Sequence, residues 1–236
     1  MSISRRSVLL GMTFALGGCI TQRPVTTQTA SNGYVPDPYY VSMYGPITTE
    51  PWPIPAIDIS KIDPLLLRQE VDYATDQKAG TIVVDVNSRF LYLIRENGKA
   101  LRYGVGVGKV EAFNFEGNAD IGRKAKWPRW TPTKDMIARE PERYGPYAGG
   151  MDGGPDNPLG PRALYLYRDG RDTLYRLHGT TQPYTIGTKV SSGCIRLFNQ
   201  DIIDLYRRIP VGTKVVVLPS DPNASTPNFA APATGV

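Results

Sequence analysis

Cys194 lies in the run Ser191-Ser192-Gly193-Cys194-Ile195-Arg196-Leu197, and His178, the only histidine among 236 residues, stands sixteen positions before it in Leu177-His178-Gly179-Thr180. A thiol attacks carbon well only as the thiolate, and an imidazole near neutral pH can favour that form and then shuttle the proton. Together the two residue types suit acyl transfer through a thioester. The glycines beside them let backbone approach a ligand closely. Taken singly, Cys194 also reads as an inert core thiol or half of a disulfide, and His178 as an ordinary surface or core histidine.

The disulfide reading turns on Cys19, the only other cysteine. The opening MSISRRSVLLGMTFALGGC has a cationic start at Arg5 and Arg6, a short apolar run from Val8 to Leu16 and small residues before Cys19, the pattern of an export signal. It is too short for a mature membrane span. Ser4 to Leu9 resembles a twin-arginine signal, and Leu16-Gly17-Gly18-Cys19 resembles the lipobox at which bacterial lipoproteins are cleaved and acylated. On that reading Cys19 carries lipid and anchors the protein to a membrane; the other is a plain secretory signal cut nearby. With Cys19 lipidated or cleaved away rather than left free, Cys194 has no partner inside the chain and is a thiol either buried and inert or reactive.

Metal chemistry is not expected, because one His and one usable Cys fall short of the three or four ligands a zinc site needs. No cofactor is implied. Gly104-Val105-Gly106-Val107-Gly108-Lys109 fails the phosphate-loop spacing, with Val110 where a Ser or Thr should stand, and reads as a glycine-rich strand end. A net charge of +5 and a pI near 9.1 suit an anionic wall or membrane surface, and nothing points to nucleic acid.

The elements that must position Cys194 and His178 are mostly strands. With 24 Gly and 21 Pro the chain favours a β-rich fold with many turns. Thr81–Val86, Arg89–Arg95 and Lys99–Val107 read as a meander, turned at Asn87-Ser88 and Glu96-Asn97-Gly98. Ala163–Tyr167 and Thr173–Leu177 form a hairpin across Asp169-Gly170, and Thr213–Leu218 is a last buried strand. Two short helices are expected: Asp63–Thr75, capped by Asp63 with Pro64 behind it, and Asn199–Arg208, capped by Asn199.

Between them, residues 109–162 read as a long functional loop. Its Trp127, Trp130, Tyr144 and Tyr147 either wall a substrate site or pack the loop down. Residues 20–62, rich in Thr, Gln, Pro and Tyr, read as an extended tether with little core, or with Trp52 and its prolines lying on the domain surface; 220–236 reads as a disordered tail. The folded domain is then 63–219, with its core at 79–218.

The His178-Gly179-Thr180 motif, the sixteen-residue gap, the Ser-Ser-Gly-Cys-Ile-Arg-Leu run, the Asp-bearing helix and Pro210-Val211-Gly212-Thr213-Lys214-Val215-Val216-Val217-Leu218 together resemble an L,D-transpeptidase catalytic domain of the YkuD type, over about residues 79 to 218. The resemblance implies a mainly β, sandwich-like domain with a few short helices, working in the bacterial envelope on peptidoglycan stem peptides. It implies Cys194 as nucleophile, His178 as base, Gly179 as the backbone group that orients the imidazole, and Gly193 with the Cys194 N–H at the oxyanion hole. Arg196, Ser192, Trp130 and Tyr165 are the expected substrate contacts. Arg196 either meets a donor carboxylate or pairs with Asp201 or Asp204.

Ser192 departs from the family pattern, which often has a second histidine there, so no proton-transfer role is expected of it. The implied reaction cuts before a terminal D-alanine and passes the acyl group to an amine, of a second stem peptide, an outer-membrane protein or lipoprotein, or a free D-amino acid. The alternatives are an L,D-carboxypeptidase with the same residues and water as acceptor, and a wall-binding lipoprotein with an inert Cys194.

Overall fold

The computed structural model describes residues 36–109, 115–191, 193–221 and 223. The export signal, Cys19, the first part of the expected tether, Ser192 and nearly all of the expected tail lie outside the described residues. Eleven strands are described: β1 (Gln69–Asp72), β2 (Ile82–Asp85), β3 (Phe90–Ile94), β4 (Lys99–Gly104), β5 (Val107–Gly108), β6 (Gly117–Lys126), β7 (Arg162–Arg168), β8 (Arg171–His178), β9 (Lys189–Ser191), β10 (Ile195–Arg196) and β11 (Lys214–Val217). Four short helices accompany them: α1 (Pro38–Met43), α2 (Lys134–Arg139), α3 (Pro141–Tyr144) and α4 (Asn199–Arg208).

Nine strands form one sheet in the order β1-β4-β3-β2-β11-β6-β7-β8-β10, and β5 pairs with β9 beside it. Within the nine-stranded sheet neighbours run antiparallel except β11 with β2 and β10 with β8; β5 and β9 are also parallel. One apolar cluster takes Leu91 and Leu101 from one half of the sheet, Leu164 and Leu177 from the other, and Ile202 and Leu205 from α4. The sheet therefore curls around α4, and burial of this shared face is the main favourable term for the domain.

The expected meander is β2, β3 and β4, closed by residues that accept positive φ: Asn97 at 59° and Gly98 at 66°. The β7–β8 hairpin turns on Asp169 at 50° and Gly170 at 75°. Gly104 and Gly106 are bare because backbone comes close: a Cβ would meet the Leu66 carbonyl oxygen at 2.6 Å and the Thr185 carbonyl oxygen at 2.7 Å.

Four expectations are corrected. Asp63 caps only a single 3-10 turn at Pro64–Leu66, accepting from Leu65 N at 2.8 Å, and the remainder of the expected helix is β1, paired along β4. An exposed β4 edge offers a full row of backbone partners, which outweighs weak helical periodicity. The loop expected at 109–162 contains the ten-residue β6, and α2 and α3. Asn199 begins α4 without capping it; Phe198 is the cap residue, and the Asn199 amide oxygen accepts from Thr180 N at 2.9 Å.

The fourth concerns the tether. From residue 36 this segment is part of the body: Tyr44 is fully buried, edge-on to Phe198 at 5.6 Å, in a second apolar cluster with Ile59, Leu66, Leu67 and Phe90. The Gln200 amide donates to the carbonyls of Gly45 and Pro55 at 3.1 and 3.0 Å. Farther along, Glu50 makes a buried ion pair with Arg162 and accepts from the Trp127 indole at 2.9 Å. Regular structure here is limited to α1, which Pro38 opens, and a 3-10 turn at Ile59–Lys61, yet the isoleucines and tyrosines still bury apolar area. Trp52 lies partly exposed against Trp127, as the alternative reading had it.

Candidate active site

Cys194 and His178 meet because β10 runs parallel to β8. Register places Ile195 beside Leu177 and Arg196 beside His178. Ile195 and Leu177 point into the core; by the two-residue alternation of a strand, Cys194, Arg196, Arg176 and His178 point the other way. All four line one cavity of about 560 Å³.

Short contacts on every side fix β10. Arg196 exchanges backbone hydrogen bonds with Gly106, each 2.9 Å, and Leu197 N donates to the His178 carbonyl at 2.8 Å. Gly193, just before the nucleophile, has φ 125°, a backbone conformation that favours glycine. Cys194 itself is half-buried and forms no disulfide among the described residues.

His178 is buried, and its Nδ1 lies 2.6 Å from the Gly179 carbonyl oxygen. A carbonyl only accepts, so Nδ1 carries the proton and Nε2 is left as the basic nitrogen. Gly179 has no room for a side chain: a Cβ there would lie 2.3 Å from the Asn199 amide oxygen. Its backbone orients the ring and its bareness admits Asn199.

Burial holds the His178 pKa down at about 3, helped by the charges of Arg196 and Arg176 and opposed by the Gly179 hydrogen bond. Burial pushes the Cys194 thiol up, while Arg176, by charge and hydrogen bonding, and Arg196, by charge, pull it back down. The resting pair is thus neutral thiol and neutral imidazole. Both arginines favour a sulfur anion.

Residues 127–160 roof the cavity. The Asn157 amide ties the carbonyls of Pro128, Met151 and Asp152 together at 3.0 to 3.3 Å, and Trp130 exchanges backbone hydrogen bonds with Met151. Thr133 caps α2, accepting from Met136 N at 3.1 Å. Trp130 lines the cavity, its ring 6.3 Å from that of Tyr144 and 5.8 Å from that of Tyr147, which line it too. Trp127 instead packs on Trp52 and hydrogen-bonds Glu50. The two readings of the aromatic loop therefore divide between residues.

Arg196 faces the cavity and reaches Gln182 at 3.4 Å. It does not take the alternative pairing with Asp201 or Asp204: Arg68 pairs with both, at 3.4 and 3.0 Å, and Arg208 with Asp204 at 2.7 Å. Tyr165 is corrected: it is 2% exposed and absent from the cavity wall, its ring in contact with the guanidinium groups of Arg123 at 3.6 Å and Arg176 at 4.9 Å. A tyrosine in β7 whose alternation faces two arginines spends its ring on them.

Sequence reasoning missed Arg176 and the cap arginines Arg139 and Arg143 at the cavity. Arg176 had a signal: two positions before His178 on one strand, it must share the histidine's face. The cap residues carried none.

The chain matches the family described as the L,D-transpeptidase catalytic domain, YkuD, over residues 79–217. "Probable L,D-transpeptidase YbiS" of Escherichia coli K12 is 33% identical over 148 residues, 62% of this chain and 47% of that one. "Probable L,D-transpeptidase ErfK/SrfK" of Salmonella typhimurium is 30% identical over 210 residues, 86% of this chain and 65% of that one. The chain thus spans less than two thirds of either relative's length. A crystal structure from Brucella melitensis, described as a probable carnitine operon oxidoreductase, is 52% identical, covering 68% of this chain and 99% of that one at a TM-score of 0.46. With the family match running over more than half its length, from just before β2 to the end of β11, the chain belongs to the YkuD family of L,D-transpeptidase catalytic domains.

Proposed function

We propose that the protein is an L,D-transpeptidase of the bacterial envelope: Cys194 forms a thioester with a peptidoglycan tetrapeptide stem, releases D-alanine and passes the acyl group to an amine. The observation that carries this reading is the single cavity holding Cys194, His178, Arg176 and Arg196 together, in a chain of this family.

The geometry supports the following steps. His178, with Nδ1–H on the Gly179 carbonyl, takes the Cys194 proton at Nε2 as sulfur attacks the carbonyl between the third residue, diaminopimelate, and D-alanine. Backbone N–H groups at Gly193 and Cys194 hold the oxyanion. The C–N bond breaks, the imidazolium gives its proton to the departing amine, and a thioester remains. The acceptor amine then attacks the thioester, its proton passes to His178, and the C–S bond breaks.

A donor carboxylate at Arg196 offsets the charge that does most, after burial, to hold His178 down. Donor binding therefore raises the basicity of His178 when a base is needed. The aromatic roof of Trp130, Tyr144 and Tyr147 favours transfer over hydrolysis by limiting water at the thioester. The segment before residue 36, with Cys19 acylated, supplies a membrane anchor. The acceptor is a second stem peptide, or an outer-membrane protein or lipoprotein.

Product mass spectrometry on disaccharide tetrapeptide, with and without an added acceptor amine, tests this. The expected outcome is loss of D-alanine and a cross-linked or amine-capped product that grows with acceptor concentration. Tripeptide alone at every acceptor concentration would make the enzyme a carboxypeptidase.

A further inference from the structure

Leu174 breaks the regular course of β8. Its φ is 66°, in the left-handed region a leucine rarely adopts, and the β7–β8 register slips nearby, between Tyr165 and Tyr167. The bulge turns the Leu174 carbonyl to where two functional groups converge: Arg176 Nη1 at 2.6 Å and Cys194 Sγ at 4.0 Å. Extending the β8–β10 register back by one residue sets Arg176 directly beside Cys194, on the cavity face. The guanidinium and the thiol thus meet at one carbonyl oxygen on the cavity wall. The guanidinium carbon lies 4.9 Å from the centre of the Tyr165 ring, a cation–π contact that helps hold the side chain.

We propose that Arg176 is a catalytic residue: its guanidinium pairs with the Cys194 sulfur whenever that atom carries negative charge. The inference rests on the reading of Cys194 as nucleophile. Arg176 moves no proton. It stabilises the sulfur as the S–H bond breaks toward His178, and again as the thioester C–S bond breaks and sulfur leaves with the electron pair. A guanidinium suits this task, since it offers directed N–H donors and a fixed charge beside a developing anion.

The test reads the thiol without any stem peptide, so it separates this inference from the proposed function. Alkylation of Cys194 by iodoacetamide is followed across pH in the full chain by peptide-mapping mass spectrometry, for the wild type, Arg176→Gln and Arg176→Lys. Arg176→Met, which keeps apolar packing on Tyr165, serves as a second neutral variant if the Gln protein does not fold. The expected result is alkylation about tenfold slower at pH 7 in the neutral variants, rates that converge at alkaline pH, and a Lys variant close to wild type. A neutral, cooperatively melting variant whose pH profile superimposes on the wild type's would overturn the assignment and leave Arg176 as packing for Tyr165. Loss of acylation by stem peptide with the Arg176 dependence intact would instead count against the proposed function alone.

Discussion

At the scale of single residues, the site stores a neutral base beside a neutral thiol. Burial sets both, and the arginines tilt the balance toward a sulfur anion and away from an imidazolium. His178 therefore shapes stability as well as chemistry. Its folded pKa of about 3 lies below the ordinary 6.5, so between those values the unfolded chain binds a proton that the folded chain refuses. The stability tied to His178 is complete above pH 6.5 and drains away as pH falls toward 3. Thermal melts from about pH 4 to 7 should show a smaller loss of Tm on acidification for His178→Gln than for wild type; equal slopes would place the imidazole in contact with water. Acylation by the same variant should fall about 100-fold or more, the usual contribution of a positioned base. Cys194 and His178 were legible in the sequence because each is rare and sits among small residues. For Arg176 the spacing from His178 told only which face it shares; its place beside Cys194 depends on the β8–β10 pairing, which no local pattern states.

At the scale of elements, turn chemistry was the most readable feature. Asn97-Gly98 and Asp169-Gly170 adopt the positive φ values that their residue types allow, and the strands around them lie where expected. Strand β6 was hidden because only Ala119 and Ile121 are buried along its ten residues, and Gly122 interrupts it where a Cβ would strike the Tyr167 ring at 2.3 Å. Pairing with β11 and β7 makes it a strand. The same lesson applies to α4, whose start is set by tertiary bonds rather than by a cap. Behind it, the Tyr44 hydroxyl donates to the buried Asp201 carboxylate at about 3.0 Å and accepts from Arg68 N at 2.7 Å. Burial raises Asp201 to a pKa of about 7, with Arg68 and Tyr44 holding it down. Tyr44→Phe should therefore cost about 1 to 3 kcal/mol, because it strands a buried acceptor and a backbone donor. Urea melts would check this; an unchanged midpoint would mean that water replaces the hydroxyl.

At the scale of the whole molecule, residues 36–62 are a strap that holds both sides of the site. Tyr44 and Gln200 bind it to α4 behind the nucleophile's strand, and Glu50 binds it to Arg162 and to Trp127 at the root of the roof. Composition alone concealed this, since a Pro-rich stretch that packs and one that dangles share the same residues. Breaking the Glu50–Arg162 pair with Glu50→Gln leaves a buried charge uncompensated, a change that typically costs about 3 to 5 kcal/mol. A chain begun near residue 60 should accordingly melt lower than one begun at 36, and equal Tm values would show that the strap is dispensable. For that reason the central measurement uses the full chain. Wild type and Cys194→Ala are incubated with disaccharide tetrapeptide and weighed intact by mass spectrometry, with peptide mapping to place any adduct. The account expects an acyl adduct on Cys194, formed as D-alanine is lost and absent from the alanine variant. A folded wild-type protein that never gains mass on Cys194 would contradict it and leave the cavity to binding alone.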